Sequence, residues 1–151
     1  MKGVKQSGKA GHANVEERTF VELLHTTDRL ARGVAALLKT EELSLTQYNV
    51  LRILRGSPEG LPCGEIGRRL VTREPDITRL LDRMEKRELI SRCREAEDRR
   101  TVKTKITKSG LELVNRLDAP MQELHRNQLG HLGKEELGTL TNLLREARRE
   151  L

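Results

Sequence analysis

Aromatic residues are almost absent from this chain, which has one Phe, one Tyr and no Trp among 151 residues. Proteins that bind single-stranded nucleic acid stack its bases on several exposed rings. The composition therefore argues against such a surface. It also predicts that any aromatic small molecule would be held mainly by aliphatic side chains.

Cysteine and long apolar runs are scarce as well. Cys63 and Cys93 are the two cysteines, and this number fits a reducing cytoplasm better than a disulfide scaffold. No apolar run is long enough to span a bilayer, and residues 1–14 lack the apolar core of a secretory signal. We expect a cytoplasmic protein with no membrane partner, and we expect residues 1–14 to form a disordered basic tail.

The sequence has no pattern that is typical of an enzyme. No spacing predicts a nucleophile with its base, a phosphate-binding glycine loop or a pair of catalytic carboxylates. A zinc site needs clustered ligands, whereas the four histidines are scattered at His12, His25, His125 and His131. We therefore expect neither enzymatic activity nor a metal or other cofactor.

Positive charge is present and is concentrated in one stretch. The chain has a net charge of +6, and the stretch from Arg68 to Lys105 alone has thirteen Lys and Arg against eight Asp and Glu, a local excess of +5. A basic cluster of this kind favours an anionic partner. Together with the lack of aromatics, it indicates double-stranded nucleic acid.

Helical periodicity occurs on both sides of that stretch. Residues 15–42 predict a long helix with one apolar stripe, formed by Phe20, Leu23, Leu24, Thr27, Leu30, Ala31, Val34 and Leu38. Residues 108–151 predict a long helix that Pro120 should kink or interrupt, a break between Gly130 and Gly133, and a last helix over Lys134–Leu151. Stripes this long suggest that a partner chain covers part of them, so we interpret both regions as dimerisation helices.

Residues 43–107 predict a helix-turn-helix followed by a β-hairpin. Ser44 and Gln47 have the spacing of a capping box at the start of one helix, a short helix follows over Cys63–Leu70, and Pro75 marks the first turn of the next. The buried side of that helix should consist of Ile77, Leu80, Leu81 and Met84. Residues 89–95 and 101–106 then read as antiparallel strands, with Val102, Thr104 and Ile106 on one face.

The charged residues of this region are candidates for DNA contact. In a major groove, the N-terminal residues of such a helix approach base edges, which indicates Arg73, Glu74, Asp76, Thr78 and Arg79. Glu74 and Asp76 could equally serve to stabilise the positive end of the helix. Arg83, one turn further on, is expected to reach a phosphate.

The hairpin tip contributes Asp98, Arg99 and Arg100. An aspartate can hold a neighbouring guanidinium through a bidentate ion pair, and an arginine oriented in this way suits a narrow minor groove. An ordinary charged hairpin tip is the alternative interpretation.

The order of motifs resembles the MarR family of winged-helix regulators over roughly Leu43 to Gly110. The segments that carry the resemblance are LSLTQYNVLRIL, EIGRRL, REPDITRLLDRMEKRELISR and EDRRTVKTKITKSG, including an Asp-x-Arg wing (Asp98, Arg100) and a T-x-x-G helix start (Thr107, Gly110). The resemblance implies a mostly α-helical protein with a small antiparallel β-wing (α+β), a winged helix-turn-helix between N- and C-terminal dimerisation helices. It also implies a homodimer on a pseudo-palindromic operator, often a repressor that a small, commonly phenolic, effector releases.

Three positions depart from the family pattern. Glu88 stands where a glycine commonly ends the recognition helix, and a left-handed backbone there would cost a non-glycine residue on the order of 1 kcal/mol. Pro62 and Gly133 stand where side chains that cap helices are common.

Two alternative functions remain open from the sequence. A winged helix can dock a protein instead of reading DNA, although the local positive charge disfavours this. A regulator could also sense oxidants through Cys63, which lies near a helix N-terminus, or through Cys93.

Overall fold

A computed structural model describes residues 14–94, 97–98 and 100–149. These residues form mainly α-helix with one small antiparallel sheet, so the predicted fold class is confirmed. The elements in chain order are α1 (Val15–Lys39), α2 (Leu45–Arg55), β1 (Leu61–Pro62), α3 (Cys63–Arg69), α4 (Ile77–Lys86), β2 (Ile90–Arg94), β3 (Val102–Ile106), α5 (Lys108–Leu129), a 3-10 turn (Gly130–Leu132) and α6 (Lys134–Ala147). None of the described helices has the length and apolar character needed to cross a bilayer.

The chain divides into two units between Arg32 and Gly33, inside α1. The described part of the first unit is helix, and its predicted apolar stripe is largely exposed: Phe20 is 61% and Leu24 is 55% accessible. Burying apolar surface stabilises a protein by about 25 cal/mol per Å². These side chains therefore contribute little of that stabilisation within a single chain.

The core lies in the second unit, where α1 contributes Val34 and Leu38. The predicted inner face of α2 is confirmed, since Val50, Leu51 and Leu54 are fully buried. The capping box is confirmed too. The Gln47 backbone amide donates to Ser44 Oγ (3.1 Å), and the Ser44 amide donates to Gln47 Oε1 (3.0 Å).

The sheet has the strand order β1-β3-β2, with β3 antiparallel to both neighbours. The two predicted hairpin strands are confirmed, whereas the two-residue strand β1 was not predicted. The expected inward alternation is only partly right, because Thr104 is buried while Val102 is exposed. Thr104 sits in mid-sheet between its partners Leu61 and Arg92, whereas Val102 lies at the hairpin tip.

Helix α5 continues through Pro120 to Leu129, so of the two predicted effects of this proline, a kink or an interruption, the interruption is wrong. A proline inside a helix costs about 3 kcal/mol, but here the helix has buried side chains both before and after the proline, namely Leu113, Val114, Leu117 and Met121.

Helices α2 and α5 are joined by an ion pair. Arg55 forms a bidentate pair with Asp118 at 2.8 and 3.1 Å.

The predicted break after α5 is confirmed by the 3-10 turn and by Gly133, which has a φ of 82°. Helix α6 ends at Ala147, earlier than predicted, and residues 150–151 lie outside the described part. Among its described residues α6 has no buried side chain, and Leu143 is 62% accessible. Neither Gly133 at the start of α6 nor Pro62 at the start of α3 donates or accepts a side-chain capping bond.

Candidate nucleic-acid interface

Helix α4 begins at Ile77 and is capped by Asp76. The Asp76 carboxylate accepts a hydrogen bond from the Arg79 backbone amide at 3.1 Å. Because the cap residue stands immediately before the helix, Pro75 lies outside it, and the prediction that Pro75 occupies the first turn is wrong. We call α4 the recognition helix because it is the second helix of the helix-turn-helix.

The two faces of the recognition helix are sharply different. Leu80, Leu81 and Met84 are buried, as predicted, whereas Ile77 at the helix start is only half-buried. Thr78, Arg79 and Arg83 are exposed on the other side. A helix with its side chains is about 10–12 Å across, which fits a major groove about 12 Å wide.

The acidic candidates at the helix start make local contacts. Glu74 accepts from the Asp76 backbone amide at 3.2 Å, and Asp76 Oδ2 lies 3.4 Å from Arg79 Nε. These contacts favour the helix-stabilising interpretation of Glu74 and Asp76. Arg73 and Arg83 are exposed, and no described residue forms an ion pair with either.

The recognition helix ends at a strained residue. Glu88 has a φ of 57°, so the backbone is left-handed at the position where the family commonly has glycine. The Leu89 amide donates to the Met84 carbonyl (3.1 Å) and the Glu88 amide to the Glu85 carbonyl (2.8 Å). This pattern closes the helix C-terminus and requires the left-handed residue.

Helix α5 starts directly against that turn. The Thr107 hydroxyl donates to the Glu88 carbonyl at 2.6 Å, and the Thr107 amide donates to the Leu89 carbonyl at 3.1 Å. The predicted cap is confirmed, since Thr107 Oγ1 accepts from the Gly110 amide at 3.0 Å. A Cβ atom at Gly110 would lie 2.1 Å from the Leu89 carbonyl oxygen, which explains the glycine of the T-x-x-G motif.

The wing is the hairpin of β2 and β3 with its tip. At this tip the Asp98 carboxylate accepts from the Thr101 hydroxyl (2.8 Å) and from the Arg100 backbone amide (3.0 Å). The Thr101 hydrogen bond, followed by that from the Arg100 amide, lowers the pKa of Asp98 below its ordinary value.

The predicted bidentate pair between Asp98 and a guanidinium is not formed with Arg100 in the described part of the tip, because the turn itself uses the carboxylate. Arg100 is exposed. Arg99 lies outside the described residues.

The sequence interpretation did not include one side chain that links the recognition helix to the wing. Arg92 on β2 is only 27% accessible and contacts two carboxylates of the recognition helix. Its Nε donates to Glu85 at 3.0 Å, and its Nη2 donates to Glu85 at 2.6 Å and to Asp82 at 2.5 Å. The available signal was the i, i+3 spacing of these acids before a strand arginine, but only the hairpin register brings the groups together.

A cavity of about 330 Å³ lies between the loop after α1, the end of the recognition helix and the start of α5. Arg87 crosses it and donates to the backbone carbonyls of Glu42 (2.6 Å) and Glu41 (3.2 Å), while Arg116 lies 3.4 Å from the Glu41 carboxylate. Its lining consists of Thr40, Glu41, Glu42, Arg87, Leu89, Ser109, Glu112, Leu113 and Arg116.

The two cysteines lie in different surroundings. Cys63 begins α3, is half-buried and packs against the core. Cys93 is exposed on β2, with Sγ 3.8 Å from the Lys103 carbonyl oxygen.

Comparison with known proteins identifies the family. The MarR family model matches residues 43–102, which include the recognition helix and most of the wing. A MarR transcription factor from Planctomyces limnophilus is 38% identical in sequence, and its crystal structure covers 89% of this chain and 98% of its own with a TM-score of 0.69. This chain belongs to the MarR family. It is accordingly a DNA-binding transcription regulator.

Two further relatives have lower sequence identity to this chain. The homoprotocatechuate degradative operon repressor of Escherichia coli is 28% identical over 126 residues, which are 83% of this chain and 84% of the repressor. The PcaV transcriptional regulator of Streptomyces coelicolor, in complex with its natural ligand, is 27% identical with a TM-score of 0.72, over 90% of this chain and 96% of its own. MarR membership therefore rests on similarity along most of the chain.

Proposed function

We propose that this MarR-family chain is a homodimeric repressor that binds a pseudo-palindromic operator and is released by a small molecule. The observation that carries the proposal is the placement of basic side chains on two elements that can enter DNA grooves. Arg79 and Arg83 share the exposed face of the recognition helix, and Arg100 is exposed at the wing tip. The E. coli relative is itself named as a repressor, which supports the direction of regulation.

In this proposal the recognition helix occupies the major groove. Thr78 and Arg79, in its first turn, contact base edges, since arginine can hold guanine through two hydrogen bonds. Arg73 and Arg83, which have no carboxylate partner among the described residues, contact phosphates or bases near the same end. Glu74 and Asp76 contribute mainly by holding the helix start and the Arg79 side chain in place.

The wing occupies the adjacent minor groove. Asp98 fixes the tip through the Arg100 amide and the Thr101 hydroxyl, so the Arg100 side chain starts from an ordered turn. Arg99 is proposed to contact the backbone beside it. A narrow minor groove has the most negative potential and attracts arginine.

DNA titrations test these roles. Arg79→Ala should reduce discrimination between operator and unrelated DNA, because each good bidentate contact contributes about 1–3 kcal/mol to base choice. Arg100→Ala should weaken binding to all sequences. Arg126→Ala is a matched control, since Arg126 on α5 is 67% accessible, compared with 78% for Arg79. Unchanged affinity and salt slope in Arg100→Ala would remove the wing from the interface.

The dimer is proposed from the exposed stripes at the two ends of the chain. Phe20 and Leu24 on α1 and Leu143 on α6 leave apolar surface in water, where a second copy can bury it. Two recognition helices should then meet major grooves about 34–36 Å apart. Sedimentation of Phe20→Asp should show a monomer, with Glu22→Ala on the same helix as the control, and a dimeric Phe20→Asp would contradict the proposal.

We infer that the effector binds the 330 Å³ cavity at the end of the recognition helix. Its lining is mostly charged, with only Leu89 and Leu113 apolar, so a hydroxy acid suits it better than a purely apolar ligand. The carboxylate would contact Arg116, and the hydroxyl would donate to Glu112. PcaV crystallised with its natural ligand, which supports ligand control in a relative.

Displacement of labelled operator by a panel of aromatic hydroxy acids tests the effector site. Arg116→Ala should keep operator affinity and lose sensitivity to the acid. Equal sensitivity in this variant would place the effector elsewhere.

Two rival functions make different predictions. A protein-docking module would give no sequence-specific gel shift with the chain's own promoter region at moderate salt, and a protein partner would appear in pull-down. A thiol sensor would lose peroxide sensitivity in the gel shift when Cys63 and Cys93 are changed to Ser.

A further inference from the structure

The recognition helix carries its own acidic groups among its DNA-facing arginines. Residues 79, 82, 83 and 86 recur at i, i+3, i+4 and i+7 and share one helical face. Asp82 therefore lies on the same face as Arg79, Arg83 and Lys86, and its side chain is 46% accessible. Glu85 lies at the edge of this face and is 38% accessible. Unpaired carboxylates at these positions would repel DNA phosphates.

Arg92 pairs with both of these carboxylates from the neighbouring strand. Its Nη2 bridges Asp82 (2.5 Å) and Glu85 (2.6 Å), and its Nε adds a second bond to Glu85 (3.0 Å). The Arg92 backbone amide donates to the other Glu85 oxygen at 3.1 Å. The hydrogen bonds from the Arg92 side chain also lower the pKa of Glu85 below its ordinary value.

The same contacts fasten two elements together. Asp82 and Glu85 belong to the recognition helix, while Arg92 is the middle residue of β2 and pairs with Thr104 of β3 in the wing. A planar guanidinium that binds two carboxylates fixes the relative orientation of the elements that carry these groups, as well as the distance between them. The angle between the recognition helix and the wing is therefore set in part by this cluster.

We propose that Arg92 is a positioning residue for DNA binding. It neutralises the carboxylates on the reading face and holds the recognition helix and the wing in one orientation, and it does not itself contact DNA. This inference rests on the proposed function, in which both elements enter DNA grooves.

Operator titrations over several salt concentrations test the proposal. Arg92→Met keeps the aliphatic stem but removes the charge, and we expect about a tenfold loss of operator affinity at an unchanged salt slope, because no phosphate contact is removed. Adding Asp82→Asn to Arg92→Met should recover part of the affinity, since the unpaired carboxylate is then gone. A role confined to fold stability would lower Tm without either change in affinity.

Three results would overturn the proposal. They are full operator affinity in folded Arg92→Met, a salt slope that falls by about one as for a lost phosphate contact, or no recovery on adding Asp82→Asn. If Arg92→Met fails to fold, Arg92→Lys is the second variant. This variant keeps the positive charge but loses the planar guanidinium that binds both carboxylates. It should bind operator several-fold more weakly than the wild type, and full affinity would count against the proposal. Arg79→Ala and Arg100→Ala are titrated with operator in the same experiment. If these variants also bind normally, the proposed DNA-reading function is itself contradicted.

Discussion

Replacing Glu88 with glycine should stabilise the protein. The residue has a φ of 57° at the end of the recognition helix, and left-handed backbone costs a residue with a Cβ atom about 1–2 kcal/mol. Glycine avoids that cost but loses about 0.5–1 kcal/mol more conformational entropy on folding. The Glu88 side chain is exposed, so little packing is removed, and the net gain should be about 0.5–1 kcal/mol.

Urea unfolding followed by circular dichroism measures this gain. All variants need the same protein concentration, because the stability of an oligomer depends on it. A gain of this size should raise Tm by about 1–4 °C in a chain of this length. Glu88→Ala is the control: it removes the carboxylate but keeps the Cβ atom, so its stability should stay within about 0.5 kcal/mol of the wild type.

The comparison between Glu88→Gly and Glu88→Ala tests whether left-handed backbone strain lowers the stability of the protein. If Glu88→Gly is no more stable than Glu88→Ala, left-handed strain does not explain the cost at this position. Glu42 offers an independent repeat, since its φ is 54° in the turn after α1, and Glu42→Gly should show a gain of similar size.

Three other substitutions or conditions give separate tests. Gly110→Ala places a Cβ atom 2.1 Å from the Leu89 carbonyl oxygen and should destabilise by about 1–3 kcal/mol, measured by urea unfolding; a neutral result would contradict the close approach. A double-mutant cycle on Arg55 and Asp118, which are 29% and 41% accessible, should give a coupling of about 1 kcal/mol or less after allowance for solvent screening. Because the pKa of Asp98 is lowered by hydrogen bonds to the folded tip, its contribution is present above its unfolded pKa and is lost as pH falls through the lower folded value. NMR titration should show an Asp98 pKa below the ordinary value for aspartate.

Local chemistry predicted much of the fold. The Ser44–Gln47 box and the Thr107 cap involve residues three apart, so their hydrogen bonds follow from sequence spacing alone. Asp76 and Arg79 have the same spacing, and Asp76 caps the recognition helix. The sequence nevertheless predicted that Pro75 lies in the first turn, whereas the helix begins at Ile77. The error was one of boundary, where propensities distinguish adjacent residues poorly.

Contacts between distant residues were harder to predict. Pro120 does not end α5, because tertiary packing on both sides outweighs its local cost. The Arg92 cluster depends on the register of the hairpin against the recognition helix, and no spacing rule encodes it. For the candidate site, the sequence assigns each residue to a helix, strand or turn, but the pairing of each carboxylate with its donor depends on the tertiary structure.

The hydrogen bonds between Thr107 and the turn at Glu88 couple any movement of α5 to the end of the recognition helix. Helix α5 has 22 residues, about 33 Å, and its first turn is fastened to the end of the recognition helix by hydrogen bonds of 2.6 and 3.1 Å. A rotation of α5 by about 10° around its midpoint would move that end by about 3 Å. Hydrogen bonds do not stretch so far, so the recognition helix must follow. The displacement is similar in size to the 3.4 Å rise between stacked base pairs, so under the proposed function a small change in the angle of α5 would be enough to disturb the register of the recognition helix on DNA.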